Sequence, residues 1–421
     1  MIEPQERFWS EGQKFFGSPD NPKTEFQCSI WDWDQLRIIK IKGTANLFTS
    51  DEYKEIPILA QFADYLSPEI RAVETDDDGR IFGVSKELGE DESWFVPYPP
   101  FSIAKSLAGC RTVKHSQLKE LDRLGLFVDV SSYEDEYQNL RTVAFKFNVL
   151  GKTLRLKMAW DELNIVKSLP PHPNIVPFDS VIIEDVESRV IGFTTKYIPG
   201  GNLNDPKKAF RFEWLQQLTQ LVDFLNLDMG IMHQDIAPRN LLVDPDTHKL
   251  LLFDFDRAAC GTRNLQHGRD DVTAVAFTLY ELITNDTHLT SIPYWERDIE
   301  IVQSLKEWTR NRELDREVCV FRDFLNAWVQ KRQSDNAMDE YLNAPNRPTW
   351  PELPTAHDYD VPYEDGKTAE GEIIWRTGHR LMRSAVKAGQ YCFQWQRPPQ
   401  SRLLRKSYEA IAIGMGEVGR D

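Results

Sequence analysis

Hydrophobic and polar positions follow three different patterns along the chain. Residues 1–115 hold short aromatic-rich runs separated by acidic turns, which predicts an N-terminal extension of short strands. Residues 116–335 begin with β-branched and aromatic runs and continue into segments with apolar residues three and four apart. Residues 336–421 start rich in proline and acid and become basic near 375–391, which predicts an extended or surface-draped linker and a C-terminal helical tail.

The middle zone predicts strands first and helices afterwards. The runs at 140–149 and 190–198 predict strands, and 154–169 predicts a helix between them. Two later helices each have one apolar stripe, formed in the first by Trp214, Leu218, Leu221, Val222 and Leu225 and in the second by Val272, Val275, Ala276, Leu279 and Ile283. We therefore predict an α+β fold of two lobes, a β-rich N-lobe over 116–198 and a larger helical C-lobe over 199–335.

Composition and charge narrow the class of protein. The chain is 41% hydrophobic and 28% charged, as in ordinary globular proteins, and its 66 acidic and 50 basic residues give a net charge of −16. Nucleic-acid and anionic-membrane binders need a basic face, so we expect neither partner. The five cysteines show no CxxC spacing, the first residues lack the apolar core of a signal peptide, and no apolar run approaches about 18 residues. We expect an intracellular protein, cytoplasmic or nuclear, without a disulfide framework or a membrane span.

The candidate chemistry lies in "HQDIAPRNLLVDPDTHKLLLFDFD" (233–256). Its two short apolar runs predict a hairpin, with Asp235 and Asn240 on the loop before it and Asp254 at its end. The oxygen ligands of Asn240 and Asp254 suit Mg²⁺, which commonly shares its coordination shell with phosphates. Asp235 is then the candidate to accept a proton from an attacking hydroxyl. A polar loop with a strand-end cap is the alternative interpretation of the same three residues.

The motifs of residues 116–335 stand in an order that resembles the protein-kinase superfamily. HxDxxxxN at 233–240, followed by "DFD", is similar to the catalytic and metal-binding loops of that family. "VAFK" at 143–146 resembles the strand with the phosphate-binding lysine, and Glu162, ahead of "HPNIV", resembles the helix glutamate that pairs with it. Asp271 (or Asp270) begins a helix that resembles the long central helix of the C-lobe. The resemblance implies a bilobal kinase-like fold.

The resemblance also implies roles for individual residues. Lys146, held by Glu162, would position the phosphates of ATP, and Asp235 would orient the acceptor hydroxyl. Arg239, placed as in tyrosine-kinase loops, would steady the transferring phosphate. The residues implied to bind the nucleotide are Lys146, Glu162, Gly125, Ala144, Thr195, Tyr197 and Leu242. The implied cofactors are ATP and Mg²⁺, with the metal on the two oxygen ligands named above.

Several positions depart from a standard protein kinase. In "LGLFVDV" Gly125 holds one glycine position, while Phe127 and Val130 occupy the other two, which limits the approach of the backbone to phosphates. Gln234 replaces the arginine that, in the family, binds a phosphorylated activation loop. This replacement argues against control by phosphorylation of the activation loop. Asp256 replaces the glycine of DFG, and the short stretch that follows has no A-P-E motif. In kinases that act on peptides this stretch is longer and forms the substrate platform.

Three functional hypotheses remain open. The leading one is ATP- and Mg²⁺-dependent transfer of a phosphoryl group to a hydroxyl acceptor, either a protein or a small molecule. The second is a pseudokinase that acts as a nucleotide-binding or protein-interaction scaffold, and the third is a small-molecule kinase. The chain retains the polar residues of all four catalytic positions, Lys146, Asp235, Asn240 and Asp254, which favours an enzyme. The whole chain, including "RAVETDDDGRIFG" and "QRPPQSRLL", also resembles kinase-like proteins of filamentous fungi, a resemblance that implies no particular substrate.

Overall fold

The computed structural model describes residues 6–17, 21–48, 55–333, 337–354, 360–367 and 372–397. Two lobes of different composition make up the middle of the chain, so the predicted bilobal α+β class is confirmed. Within the described ranges, no helix is both long and apolar enough to cross a bilayer.

A five-stranded sheet forms the N-terminal extension. Its strands are β1 (Phe8–Phe15), β2 (Glu25–Asp32), β3 (Arg37–Thr44), β4 (Ala72–Thr75) and β5 (Ile81–Ser85), hydrogen-bonded in sequence order, with the short helices α1 (Ala45–Phe48) and α2 (Glu55–Gln61) between β3 and β4. Strand β3 runs parallel to β4 and the other pairs are antiparallel. Alternate positions such as Phe26, Ile30, Ile39 and Ile41 are fully buried on one face, so this face of the sheet has a hydrophobic core of its own.

The N-lobe is a second, six-stranded sheet. Its strands are β6 (Thr112–Lys114), β7 (Lys119–Gly125), β8 (Val128–Glu134), β9 (Leu140–Phe147), β10 (Phe178–Ile183) and β11 (Val190–Lys196), in the order β6-β10-β11-β9-β8-β7. Helix α3 (Thr153–Ser168) connects β9 to β10. Because β6 pairs with β10, the sheet begins at Thr112, slightly before the boundary at 116 drawn from the sequence.

The C-lobe is mainly helical. Its elements are α4 (Phe212–Asp223) with a π-helical extension (Phe224–Asp228), β12 (Ile231–Met232), β13 (Leu241–Val243), β14 (Leu250–Leu252), β15 (Ala259–Cys260), α5 (Asp271–Thr284), α6 (Ile299–Gln303), α7 (Val318–Arg332) and α8 (Ala337–Leu342). The apolar stripes predicted for the first two helices face one shared core, and of the ten predicted stripe residues nine are buried and Val272 is partly buried. Asp270 caps α5 by accepting the Thr273 amide, and Asn285 ends it in the left-handed conformation at φ 52°.

The C-terminal region differs from the sequence prediction. Strands β16 (Asp360–Lys367) and β17 (Ile373–His379) form an antiparallel pair, and α9 covers only Met382–Lys387. The single basic helix predicted near 375–391 is therefore wrong over its first part, because pairing with β16 satisfies that backbone as a strand. Residues 398–421 of the predicted tail lie outside the described residues.

Candidate active site

Three charged side chains from three elements meet at the boundary between the lobes. Lys146 lies on β9, Glu162 on the middle of α3, and Asp254 two residues after β14. The Lys146 Nζ atom is 2.7 Å from Glu162 Oε1 and also bonds the Asp254 carboxylate. The structure thus contains the lysine–glutamate ion pair that the sequence predicts. The same ammonium group also contacts the candidate metal ligand Asp254.

This cluster holds more carboxyl groups than cations. Burial disfavours the Lys146 ammonium, but Glu162, Asp254 and Asp256 offset that effect and raise its pKa. Burial raises the pKa of Glu162 to about 8, with the other two carboxylates adding to the shift. The pKa of Asp256 is raised as well, by burial and by the adjacent Asp254. One ammonium group faces three carboxyl groups, so a further cation would stabilise the site.

The loop of residues 233–240, which we call the catalytic loop, places the other predicted residues together. Asn240 Nδ2 donates to Asp235 O at 2.8 Å and to Asp235 Oδ2 at 3.0 Å. Arg239 Nη2 lies 2.6 Å from Asp235 Oδ1. The amide of Asn240 thereby fixes Asp235 and keeps its own Oδ1 oxygen as the atom that suits a metal.

The donor set fits a magnesium ion that arrives with a ligand. No group of three or more His, Cys, Asp or Glu suited to a metal occurs among the residues that the structure describes. Asn240 and Asp254 together offer one amide oxygen and one carboxylate, which are hard ligands of the kind that Mg²⁺ prefers. Magnesium usually binds one or two carboxylates together with substrate phosphates, so this partial set is of the expected kind.

A buried carboxylate at the start of α5 binds the backbone of the catalytic loop. Asp271, at the first position of α5, accepts the backbone amides of His233 and Gln234 at 2.8 Å each, and the side-chain amide of Asn226 at 2.9 Å. Asp271 is therefore the aspartate that binds the catalytic loop, whereas Asp270 is the N-cap of α5. Gln234 and Asp254 adopt left-handed backbone angles, φ 61° and 67°, a strained geometry that concentrates at functional sites.

Gln234 connects the catalytic loop to residues 254–270, which we call the activation segment. Its side-chain amide donates to Arg257 O at 2.6 Å and to Asn264 O at 3.0 Å, and its oxygen accepts the Gln266 amide at 2.7 Å. These neutral bonds hold the segment without any phosphate. They are a physical reason for a glutamine at this position.

The predicted nucleotide-binding residues lie on both sides of the cleft. Ala144 and Thr195 are directly paired across β9 and β11, and the Tyr197 amide bonds Thr142 O at 3.4 Å. Gly125 ends β7 before a two-residue turn, and Leu242 belongs to β13 in the C-lobe. The turn residue Phe127 packs edge-on against Trp33 of the N-terminal sheet, with ring centroids 5.2 Å apart. The N-terminal extension therefore supports the substituted glycine loop.

The structure adds functional candidates that the sequence reasoning missed. Arg257 Nε and Arg269 Nη1 approach Asp235 at 4.0 and 3.9 Å, so three arginines surround this carboxylate. Arg263, also on the activation segment, pairs with the buried Asp161 of α3 at 2.5 Å. The "GRDD" run before α5 was the available signal for Arg269, since it adjoins the predicted Asp270–Asp271 helix start.

Comparison with known proteins agrees with this geometry. The family model described as "Protein kinase domain" matches residues 130–317. The central domain of this chain belongs to the protein-kinase superfamily. Its bilobal α+β fold is that of a kinase-like domain, and the Lys146–Glu162 pair and the catalytic loop both lie within the matched range.

Curated relatives are kinases from several eukaryotes. Casein kinase II subunit alpha' of Saccharomyces cerevisiae is 31% identical over 110 residues, which is 25% of this chain and 32% of that protein. CBL-interacting serine/threonine-protein kinase 2 of Arabidopsis thaliana is 29% identical over 153 residues, or 34% of this chain and 32% of that protein. Ephrin type-A receptor 5 of Homo sapiens is 23% identical over 206 residues, or 41% of this chain and 19% of that protein. The chain thus spans about a third or less of these relatives.

Proposed function

We propose that this kinase-like protein is an ATP- and Mg²⁺-dependent phosphotransferase that moves the γ-phosphate of ATP to a hydroxyl acceptor. The observation that carries the proposal is the Lys146 ammonium held between Glu162 and Asp254 at the cleft. Two carboxyl groups in excess of the one ammonium group suit a site for a metal-bound phosphate, because Mg²⁺ usually binds one or two carboxylates together with substrate phosphates.

Lys146 would contact the phosphates of ATP, and Glu162 keeps its ammonium group directed into the cleft. Bound Mg²⁺, with Asn240 and Asp254 as its protein ligands, would neutralise charge on the phosphates. The same cation would offset the repulsion between the Asp254 and Asp256 carboxyl groups, which contributes to the raised pKa of Asp256. Positioning and electrostatics supply most of the catalysis in this class of reaction.

Asp235 would act on the acceptor. As the acceptor oxygen bonds to the γ-phosphorus, the bond from that phosphorus to the bridging oxygen of ADP breaks and ADP leaves. The hydroxyl proton passes to the Asp235 carboxylate and then to solvent. Arg239, 2.6 Å from Asp235, can turn one of its donors to the transferring phosphate.

A scaffold role is the second candidate, favoured by Phe127 and Asp256. Phe127 fixes the turn that should cover the phosphates against Trp33. Asp256 adds a carboxyl group of raised pKa beside the metal position. Such a pseudokinase would bind nucleotide weakly, or bind it without transferring phosphate.

The test is release of ADP from ATP and Mg²⁺ by the whole chain, measured alone and with a panel of hydroxyl compounds and serine peptides. Removing a positioned base typically costs about 10²–10⁴ in rate, so Asp235→Asn should lose at least 100-fold while still binding nucleotide. Asp246→Asn, on the exposed turn after β13, is the matched control and should leave the rate unchanged. Equal rates in wild type and Asp235→Asn would reject the phosphotransferase and favour the scaffold.

A further inference from the structure

A cavity of about 460 Å³ opens directly beside Asp235. Its walls are the catalytic loop, the end of the activation segment, one face of α5, and residues 290–297. Gly268 closes one side, since a Cβ atom there would lie 2.8 Å from Trp295 Cα. The chain therefore builds a defined chamber where the acceptor hydroxyl must reach Asp235.

Arginine dominates the charge of this cavity. Four guanidinium groups line it, those of Arg239, Arg257, Arg269 and Arg297. The carboxyl groups that face them are Asp235, Asp270 and Glu281. Asp270 is engaged at 2.9 Å with the Thr273 amide as the cap of α5, and burial raises the pKa of Glu281. The excess of positive charge therefore lies near Asp235.

The arginines are held in place with donors to spare. Arg269 stacks on the Tyr294 ring at 3.8 Å, and Arg297 donates to Ile292 O and Thr290 O at 2.9 and 2.8 Å. Within the described part of the chain, the buried Nε of Arg269 has no hydrogen-bond partner. Arg257 is half-exposed and reaches Asp235 only at 4.0 Å. Guanidinium groups with free N–H atoms bind carboxylate or phosphate oxygens in pairs.

We propose that this cavity binds the phosphoryl acceptor, and that the acceptor is a small hydroxyl compound carrying a phosphate or a carboxylate group. The inference rests on the proposed function, because it assumes that Asp235 receives the acceptor proton. A volume of about 460 Å³ lies in the range of roughly 300–1,000 Å³ typical of small-molecule sites. The anionic group would pair with Arg257 and Arg269, and the hydroxyl would bond to Asp235.

The first test measures anion binding without ATP, so it is independent of catalysis. Inorganic phosphate is titrated against the whole chain by calorimetry, at ionic strength matched with sodium chloride. We expect saturable binding that weakens at least tenfold in Arg269→Met, which also removes the bond from Nη1 to Gln234 O at 3.0 Å, and in Arg257→Met, whose Nε atom lies 4.0 Å from Asp235. Arg80→Met, at an exposed turn, should bind as the wild type does. No saturable binding by the wild type, or wild-type affinity for phosphate in both cavity variants, would overturn the inference.

The second test uses three compounds with one carbon skeleton. Sorbitol 6-phosphate and gluconate should each raise ADP release at least tenfold above sorbitol, and the stronger of the two identifies the preferred anion. The proposal of a small anionic acceptor would be overturned if sorbitol raised ADP release as much as both anionic compounds do. It would also be overturned if an acidic serine peptide raised ADP release tenfold more than they do. If the chain binds phosphate at the arginines but releases no ADP with any compound, the proposed phosphotransfer fails while the anion site stands.

Discussion

Asp161 joins helix α3 to two distant parts of the chain, and its removal should loosen the site. Its carboxylate, only 2% exposed, accepts Arg263 Nη2 at 2.5 Å, Asn264 Nδ2 at 2.8 Å and Trp350 Nε1 at 2.8 Å. Because Glu162 is the next residue, these bonds help to hold its carboxylate on Lys146. We therefore predict that Asp161→Ala lowers both stability and nucleotide affinity.

The expected loss of stability follows from burial and charge. Removing one partner of a buried ion pair costs about 3–5 kcal/mol. Arg263 is 21% exposed and can regain water, so we expect about 3 kcal/mol for Asp161→Ala. For a domain of this size, about 2–4 °C per kcal/mol gives a fall in Tm of about 6–12 °C. The control Asp323→Ala, at an exposed position of α7, should change stability by less than about 0.5 kcal/mol.

A double-mutant cycle separates this contact from general damage. Trp350→Phe removes the indole N–H and keeps an aromatic ring beneath the Arg263 guanidinium, 4.9 Å away. Denaturant unfolding of wild type, Asp161→Ala, Trp350→Phe and the double variant should give a coupling energy of about 1 kcal/mol or more. If the loss of stability in the double variant equals the sum of the two single losses to within about 0.3 kcal/mol, the claim that the segment around Trp350 stabilises the position of α3 is refuted.

Three further predictions concern neighbouring elements. Gln234→Ala should speed amide hydrogen exchange across residues 254–270 by at least tenfold, because three hydrogen bonds are lost; unchanged exchange would contradict this role. Burial raises the pKa of Glu162 to about 8, so the folded protein keeps a proton that the unfolded chain releases above its ordinary value of 4.5. The free energy of unfolding of the wild type, compared with that of Glu162→Gln, should therefore fall as pH rises from about 5 to 8. If denaturant unfolding gives the same difference between the two proteins at every pH, the raised pKa of Glu162 is excluded. Phe127→Ala should cost about 2–3 kcal/mol through its lost packing on Trp33, whereas a neutral effect in the same melts would show that the N-terminal sheet leaves the turn unsupported.

Local patterns predicted most of the elements around the site. Apolar spacing placed α4 and α5, and β-branched runs placed β9 and β11, because burial of one face imposes those periods. The hairpin between the catalytic loop and Asp254 followed from its two apolar runs. The helix prediction near 375 was wrong because charged residues of this kind are compatible with a helix and with a strand alike.

The remaining features depend on contacts between residues far apart in the chain. Asp161 and Trp350 are separated by 189 positions, and neither has a local pattern that marks its partner. The arginines around Asp235 come from separate segments that only the folded C-lobe brings together. Sequence spacing could identify Asp235, Asn240 and Asp254 as one site, whereas the surroundings that select an acceptor required the tertiary structure.

The most direct test of the account is the metal dependence of nucleotide binding at Asp254. Thermal unfolding of the whole chain is measured with ATP at about 100 times its dissociation constant, with and without Mg²⁺. Wild type and the exposed control Asp246→Ala should gain roughly 2.7 kcal/mol with both ligands present, and Asp254→Ala should lose the part that depends on the metal. A wild-type chain that shows no magnesium-dependent gain would contradict the assignment of this cleft as a metal–nucleotide site.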